Sequence, residues 1–352
     1  MESLSETAGR TILEQRARLA EAIVARQYSE QAAIWARYGA TGRHKSLQDA
    51  SYHLTYLAEA VVAADPSLFN DYVAWVKALF AGLGFPETAL ADTLTWTREA
   101  LREGLPAELW AAVEPYLTAA QASLPAAAAE PPSFLSGDSP LTLLARWYLD
   151  ALLAADRRTA SRLIMDAIAS GVSVRDIYLG VFQPVQREIG RLWQTNRVSV
   201  AQEHFCTAAT QLIMSQLYPY IFSTNRTNRR LVATCIGGEL HEIGMRMVAD
   251  FFEMEGWDTY FMGANTPLPS ILQTVKERQA DLLAISATMT FHVRGVHELI
   301  AAVRDMDGGR RVPIMVGGYP FNVSPQLWRT VGADGYAPNA QEAIGVATRL
   351  IG

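Results

Sequence analysis

Apolar residues along the chain change their spacing twice, and the changes divide it into three blocks. Through the first 124 residues they recur every three or four positions within stretches rich in Ala, Leu, Glu and Arg, which is the pattern of amphipathic helices. The stretch GATGR at 39–43, Pro66, the GLGFP turn at 82–86 and Pro106 punctuate it, predicting four or five helices. One of these begins at Ser46, whose spacing to Asp49 resembles a capping box, and carries Leu47, Leu54, Leu57 and Val61 on one face. In the next, Phe69, Tyr72, Trp75 and Leu79 form an aromatic stripe, readable as core or as the wall of a flat-ligand pocket.

Residues 125–140, rich in Pro, Ala, Ser and Gly, read as a linker. Residues 141–222 return to the helical period in LTLLARWYLDALL, RLIMDAI and QEHFCTAATQLIMSQLY, with Gly171 and Pro184 as breaks, and predict a four-helix bundle. After the polar run STNRTNRR at 223–230 the pattern becomes that of strands. Apolar runs at 231–236, 257–263, 282–287 and 312–318 alternate with helical segments near 242–255, 268–280, 295–306 and 340–351. That alternation over 230–352 predicts a doubly wound, Rossmann-like parallel sheet, which binds ligands beyond the carboxyl ends of its strands. The fold class is thus α plus α/β: an all-helical N-terminal domain, a helical bundle and an α/β domain. There is no repeat of fixed period.

Composition narrows the function classes. Half of the 352 residues are hydrophobic and 19% are charged, ample for packed cores. A net charge of −6 provides no basic field for direct nucleic-acid binding. The two cysteines, Cys206 and Cys235, make neither a disulfide framework nor paired zinc ligands. No signal-peptide pattern or membrane-length apolar run is present, so a cytoplasmic location is expected. The first strand is not followed by GxGxxG, which excludes a dinucleotide-binding dehydrogenase. A mutase would need a substrate barrel of some 250 residues, for which the helical first block is too short.

The turn after that strand instead reads Gly238-Glu239-Leu240-His241-Glu242-Ile243-Gly244. A histidine at this strand-to-helix turn is placed to ligate a metal. Glu239 can accept a hydrogen bond from its other nitrogen, and Gly244 leaves room for a flat ligand. Standing alone, HxxG reads as an ordinary loop histidine, and only its context points to a ligand.

The run resembles the cobalamin-binding domain of B12 proteins, which carries Asp-x-His-x-x-Gly after the first strand, Ser-x-Leu after the third and Gly-Gly after the fourth. Here His241 and Gly244 match the first element, Ser286-Ala287-Thr288 the second with Thr for Leu, and Gly317-Gly318 the third. The resemblance implies that His241 is the lower axial cobalt ligand, replacing the cofactor's own base, and that the nucleotide tail passes Ser286, Thr288, Gly317 and Gly318. Glu239 departs from the family's Asp by one methylene.

In the bundle, Trp193 stands nine residues before Glu203-His204. This pattern resembles the cap of light-sensing B12 proteins of the CarH type, which encloses the adenosyl group of adenosylcobalamin. It implies that Trp193 covers that group and that Glu203 and His204 line it. Gln194 stands where that type has a second cobalt-binding histidine, leaving His204 and His292 as substitutes. The helical first block replaces a DNA-binding domain, a layout similar to the photocobilins, which also bind biliverdin. For a bilin, His53 near Asp49, walled by Tyr52 and Tyr56, with Arg43, His44 and Lys45 for the propionates, is the candidate site; simple helix packing is the other reading of the same residues. Neither cysteine lies in this block, so a bilin would be non-covalent.

The expected function is therefore a photoreceptor, not an enzyme. Cobalt–carbon photolysis would change domain packing or the assembly of a homo-oligomer, signalling to a downstream protein. The alternatives are a corrinoid methyl carrier for a methyltransferase system and a B12-binding anti-repressor acting through a protein partner.

Overall fold

The computed structural model describes residues 3–222, 225–306 and 311–352. Ser223 and Thr224, at the start of the predicted polar break, lie outside the described residues. The chain divides into two compact units, Met1–Glu130 and Pro131–Gly352.

The first unit is all helical, with long helices Leu4–Glu14, Arg16–Glu30, Gly39–Val62, Pro66–Gly82, Ala89–Gly104 and Ala107–Ser123. The expected breaks at Pro66 and 82–86 occur. Asp65 caps the helix that Pro66 opens, and Gly84 turns the chain at φ +71°. The expected loop at 39–43 does not. Those residues form the first turns of a 24-residue helix, so Ser46 lies inside it and caps nothing. The sharp turn is instead taken at Gly39 (φ +60°), while Gly42 fits a close approach, its missing Cβ falling 2.2 Å from Tyr38 Cβ. Leu54, Leu57, Val61 and Phe69 are buried in the core of this unit.

The second unit joins the bundle to the sheet. Residues read as linker are packed from 131 onward. The Phe134 N–H donates to Glu188, Arg146 donates to the carbonyls of Leu135 and Gly137, and Leu135 is buried in the bundle core. The bundle comprises helices Pro140–Leu153, Arg157–Ala169, the continuous helical run 174–194 and Val200–Gln216. Ser139, Asp156, Ser173 and Ser199 cap their N-termini. Pro184 does not break the third helix as expected. It follows a wide π turn at Tyr178–Phe182, closed by the Gln183 N–H on the Tyr178 carbonyl, and sits in the first turn of the helix that continues, where a missing N–H is tolerated.

The sheet has five parallel strands, β1 (Arg230–Cys235), β2 (Asp258–Phe261), β3 (Leu282–Ser286), β4 (Ile314–Gly317) and β5 (Gly335–Tyr336), in the order β2-β1-β3-β4-β5. β3 and all but the first residue of β1 are buried, as expected for strands covered on both faces. The order reverses beside β1, opening a crevice between the loops after β1 and β3. Helix Ile243–Met254 ties sheet to bundle, since Met247 and Phe251 join the bundle core and the Tyr178 hydroxyl donates to Asp250 at 2.8 Å. Among the described residues no helix is long and apolar enough to cross a membrane.

Candidate functional site

The crevice opens into a cavity of about 750 Å³ between the carboxyl ends of the strands and the bundle. On the sheet side His241, Gly244, Ser286, Thr288, Gly317 and Gly318 line it; on the bundle side Trp193, Glu203 and His204 do. Gly244 faces open space, with nothing within 4 Å of where a Cβ would stand. Gly318 is fixed by its backbone, because it has φ +105° and a Cβ there would lie 2.0 Å from the Ala287 carbonyl oxygen.

Glu239 lies behind this wall, fully buried. Its Oε1 accepts from His241 Nδ1 at 2.5 Å and from the His241 backbone N–H at 2.9 Å. Its Oε2 accepts from the Thr288 N–H at 2.6 Å, the Met289 N–H at 3.1 Å and His292 Nδ1 at 3.1 Å. Burial alone would raise the Glu239 carboxyl. The donations from His241, His292 and the backbone outweigh it and hold the group far below the usual carboxylate range. The same carboxylate raises His241 against the opposing effect of burial. With Nδ1 committed to Glu239 and the side chain 61% exposed, Nε2 of His241 is the nitrogen presented for ligation.

Among the described residues no group of three or more His, Cys, Asp or Glu side chains could hold a metal ion. A cobalt whose four equatorial positions are filled by a corrin ring needs one protein ligand, and a half-exposed imidazole on a cavity of this size fits that demand.

The upper wall holds residues that the sequence reading missed. Gln183, Gln186 and Gly190 precede Trp193 at helical intervals, and Thr207 and Gln211 follow Glu203 at four and eight residues. That spacing was the available signal. Thr207 Oγ1 donates to Glu203 Oε1 at 2.9 Å, and the other Glu203 oxygen pairs with His204 Nδ1. Gln211 donates to Glu242 Oε1 at 2.6 Å, and the Ala264 N–H donates to Oε2 of the same residue. The two candidates to replace a second cobalt histidine separate here. His204 lines the cavity, whereas His292 sits behind the loop on Glu239. Gln194 is buried in the bundle.

The residues proposed for a bilin belong to the first unit and serve its packing. His53 is buried, its Nδ1 lies 2.9 Å from the Tyr72 hydroxyl, and burial pushes its pKa down to about 4. Tyr56 is buried and stacks on Tyr72 with ring centroids 3.7 Å apart. Tyr52 points outward, and Arg43 pairs with Glu21. His44 and Lys45 are exposed. Both cysteines lie in the second unit, where burial pushes their thiols up to about 11 for Cys206 and about 12 for Cys235.

Two models described as B12 binding domain match the chain, one at residues 229–345 and the other at 144–218. Dimethylamine corrinoid protein 3 of Methanosarcina acetivorans is 33% identical over 122 residues, covering 34% of this chain and 56% of that protein. Dimethylamine corrinoid protein 3 of Methanosarcina mazei is 30% identical over 122 residues, covering 34% of this chain and 71% of that one. The chain thus spans little more than half of the first of these relatives. The structure of the Methanosarcina barkeri monomethylamine corrinoid protein superposes with a TM-score of 0.52 at 22% identity, covering 59% of this chain and 97% of that one, and so shares the fold. These relatives overturn the light-sensing expectation, and light-dependent assembly goes with it: they are corrinoid proteins named for methylamines.

Proposed function

The chain belongs to the B12-binding corrinoid proteins, and from that premise we propose that it is a methyl carrier, loaded with cobalamin and served by partner methyltransferases, with no catalytic activity of its own. The observation that carries this reading is the imidazole of His241, tied through Nδ1 to a fully buried carboxylate, on the wall of a cavity lined by both sheet and bundle. The names of the relatives, corrinoid proteins of methylamines, favour a methyl group as cargo.

Held by His241, a corrinoid would supply the cobalt chemistry of methyl transfer. The chain's own residues do the rest. Glu239 holds a proton on Nδ1 of His241, which keeps the Nε2 lone pair directed at the cavity and makes the imidazole a stronger donor. Ser286, Gly317, Gly318 and Asn322 line the part of the cavity beyond β3 and β4, where a nucleotide tail fits without side-chain obstruction at the glycines. Trp193 and Val200 add apolar surface to a bundle side otherwise lined by polar side chains such as Gln183, Gln186, Glu203 and Gln211. An adenosyl upper ligand and a biliverdin are not part of the proposal, because the relatives are named for methylamines and His53 and Tyr56 are used in packing.

The 352-residue chain, loaded in the dark, should bind methylcobalamin at least as tightly as adenosylcobalamin. With its cobalamin reduced to cobalt(I), it should take up a labelled methyl group from a methylamine only when a methylamine methyltransferase is added, the demethylated amine being the other product. An adenosylcobalamin preference of more than about tenfold, with no transfer of label, would overturn the reading.

A further inference from the structure

We propose that His292 is a positioning residue for His241, acting through the carboxylate they share. The inference rests on the reading of His241 as the axial imidazole. Glu239 divides its two oxygens between two tasks. Oε1 accepts only from His241, through both its ring and its backbone nitrogen, while Oε2 is held from the other side by the Thr288 and Met289 N–H groups and by His292 Nδ1. An ionised carboxylate only accepts hydrogen bonds, so each imidazole must carry its proton on Nδ1. For His241 that tautomer places the lone pair on Nε2, facing the cavity; for His292 it makes the ring a donor that fixes the far oxygen.

The need for such an anchor comes from the side chain. Glutamate has one more rotatable bond than aspartate, so its near oxygen is fixed only if the far one is fixed as well. The His292 ring is itself held. Its side chain is 13% exposed, it meets Phe291 edge to face with centroids 4.4 Å apart, and its Nε2 lies 3.1 Å from where a Cβ on Gly238 would stand. A Cβ at Gly238, which has φ +85°, would crowd this ring, which would have to give by a few tenths of an ångström. His292 also opens the helix Val293–Arg304, so the carboxylate ties the loop after β1 to the loop after β3.

Long-range proton–nitrogen NMR of the cofactor-free protein tests the arrangement without any transfer assay. Both His241 and His292 should show the Nδ1–H tautomer. His292→Leu, which fills the space without a donor, should allow the Nε2–H tautomer of His241 to appear and weaken aquocobalamin binding about 10-fold to 100-fold. His292→Asn, which returns a donor near the Nδ1 position, should restore binding to within a few-fold and restore the tautomer. An Nε2–H tautomer at His292 in the native protein would overturn the proposal even if neither variant folds. So would a His292→Leu protein with native affinity and an unchanged His241 tautomer, or a His292→Asn protein as impaired as His292→Leu. If His241→Ala binds cobalamin normally, the axial reading fails instead, and the tautomers still report whether Glu239 couples the two rings.

Discussion

His53 in the helical first unit and His241 in the cavity of the second each hold a hydrogen bond through Nδ1, yet the two environments drive their protonation in opposite directions. His53 meets a neutral tyrosine hydroxyl among buried helices, and desolvation lowers its pKa to about 4. His241 stands on a cavity and donates to a buried, ionised carboxylate, whose hydrogen bond and charge raise its pKa against the opposing effect of burial. A histidine beside aromatic rings and a histidine beside a glutamate look equally chemical in sequence. The difference between them is whether the second ring nitrogen faces a space that a ligand can enter.

The sharpest break of that comparison is cobalamin affinity. His241→Ala should weaken binding more than about 100-fold, beyond the usual cost of losing an outer partner, while His53→Gln should leave it unchanged in equilibrium titrations. Equal losses would mean that the two histidines do not differ in role.

Stability against pH should show the reverse ranking. Because the folded state keeps His53 neutral down to about pH 4 while the unfolded chain takes up a proton near 6.5, stability from this group is complete above 6.5 and is lost as the pH falls through that window. The loss amounts to as much as about 3 kcal/mol. Urea unfolding of the first unit at pH 7 and pH 4 should show it, and the His53→Gln protein should lack that share of the dependence. Asp250 has the opposite sense. Burial raises its carboxyl to about 6 from 3.8, so it stabilises the second unit less as the pH rises through that range. Asp250→Asn should therefore flatten the decline between pH 4 and 7.

Substituting Gly318 by Ala forces a side chain into a φ of +105° and onto the Ala287 carbonyl. A loss of about 1 to 3 kcal/mol is expected, with weaker cobalamin binding, and a fully stable variant would show that the loop after β4 yields. The smallest effect should come from Thr207→Val. Losing the hydroxyl that donates to Glu203 should cost about 1 kcal/mol by thermal unfolding and change cofactor affinity only a few-fold.

The parts of the fold that were legible in sequence are those where burial writes a pattern. β1, β3 and β4 are covered on both faces and appear as uninterrupted apolar runs, whereas β5 has only two residues and leaves no period to read. Gly39 to Arg43 read as a loop because glycine usually marks one, but Gly42 lies inside the helix, where its missing side chain leaves room for Tyr38 one turn before it. At the site, the residues after β1, β3 and β4 stood out by position, while Gln183, Gln186, Thr207 and Gln211 resembled the solvated face of a helix. His292 went unread as a partner of Glu239 because 53 residues separate them, and only the pairing of β1 with β3 brings their loops together. The function misled for a related reason. Trp193 with Glu203-His204 identifies a cap, but it does not identify the group beneath it.

Electron paramagnetic resonance of the cobalt(II) cobalamin complex, prepared once with ordinary histidine and once with nitrogen-15 histidine, tests the central claim most directly. Splitting by one axial nitrogen should change from triplets to doublets on labelling, and should lose its protein-derived part in His241→Ala but not in His53→Gln. Splitting that stays in triplets with labelled protein would show that the cofactor's own base remains on cobalt, and that His241 is not its ligand.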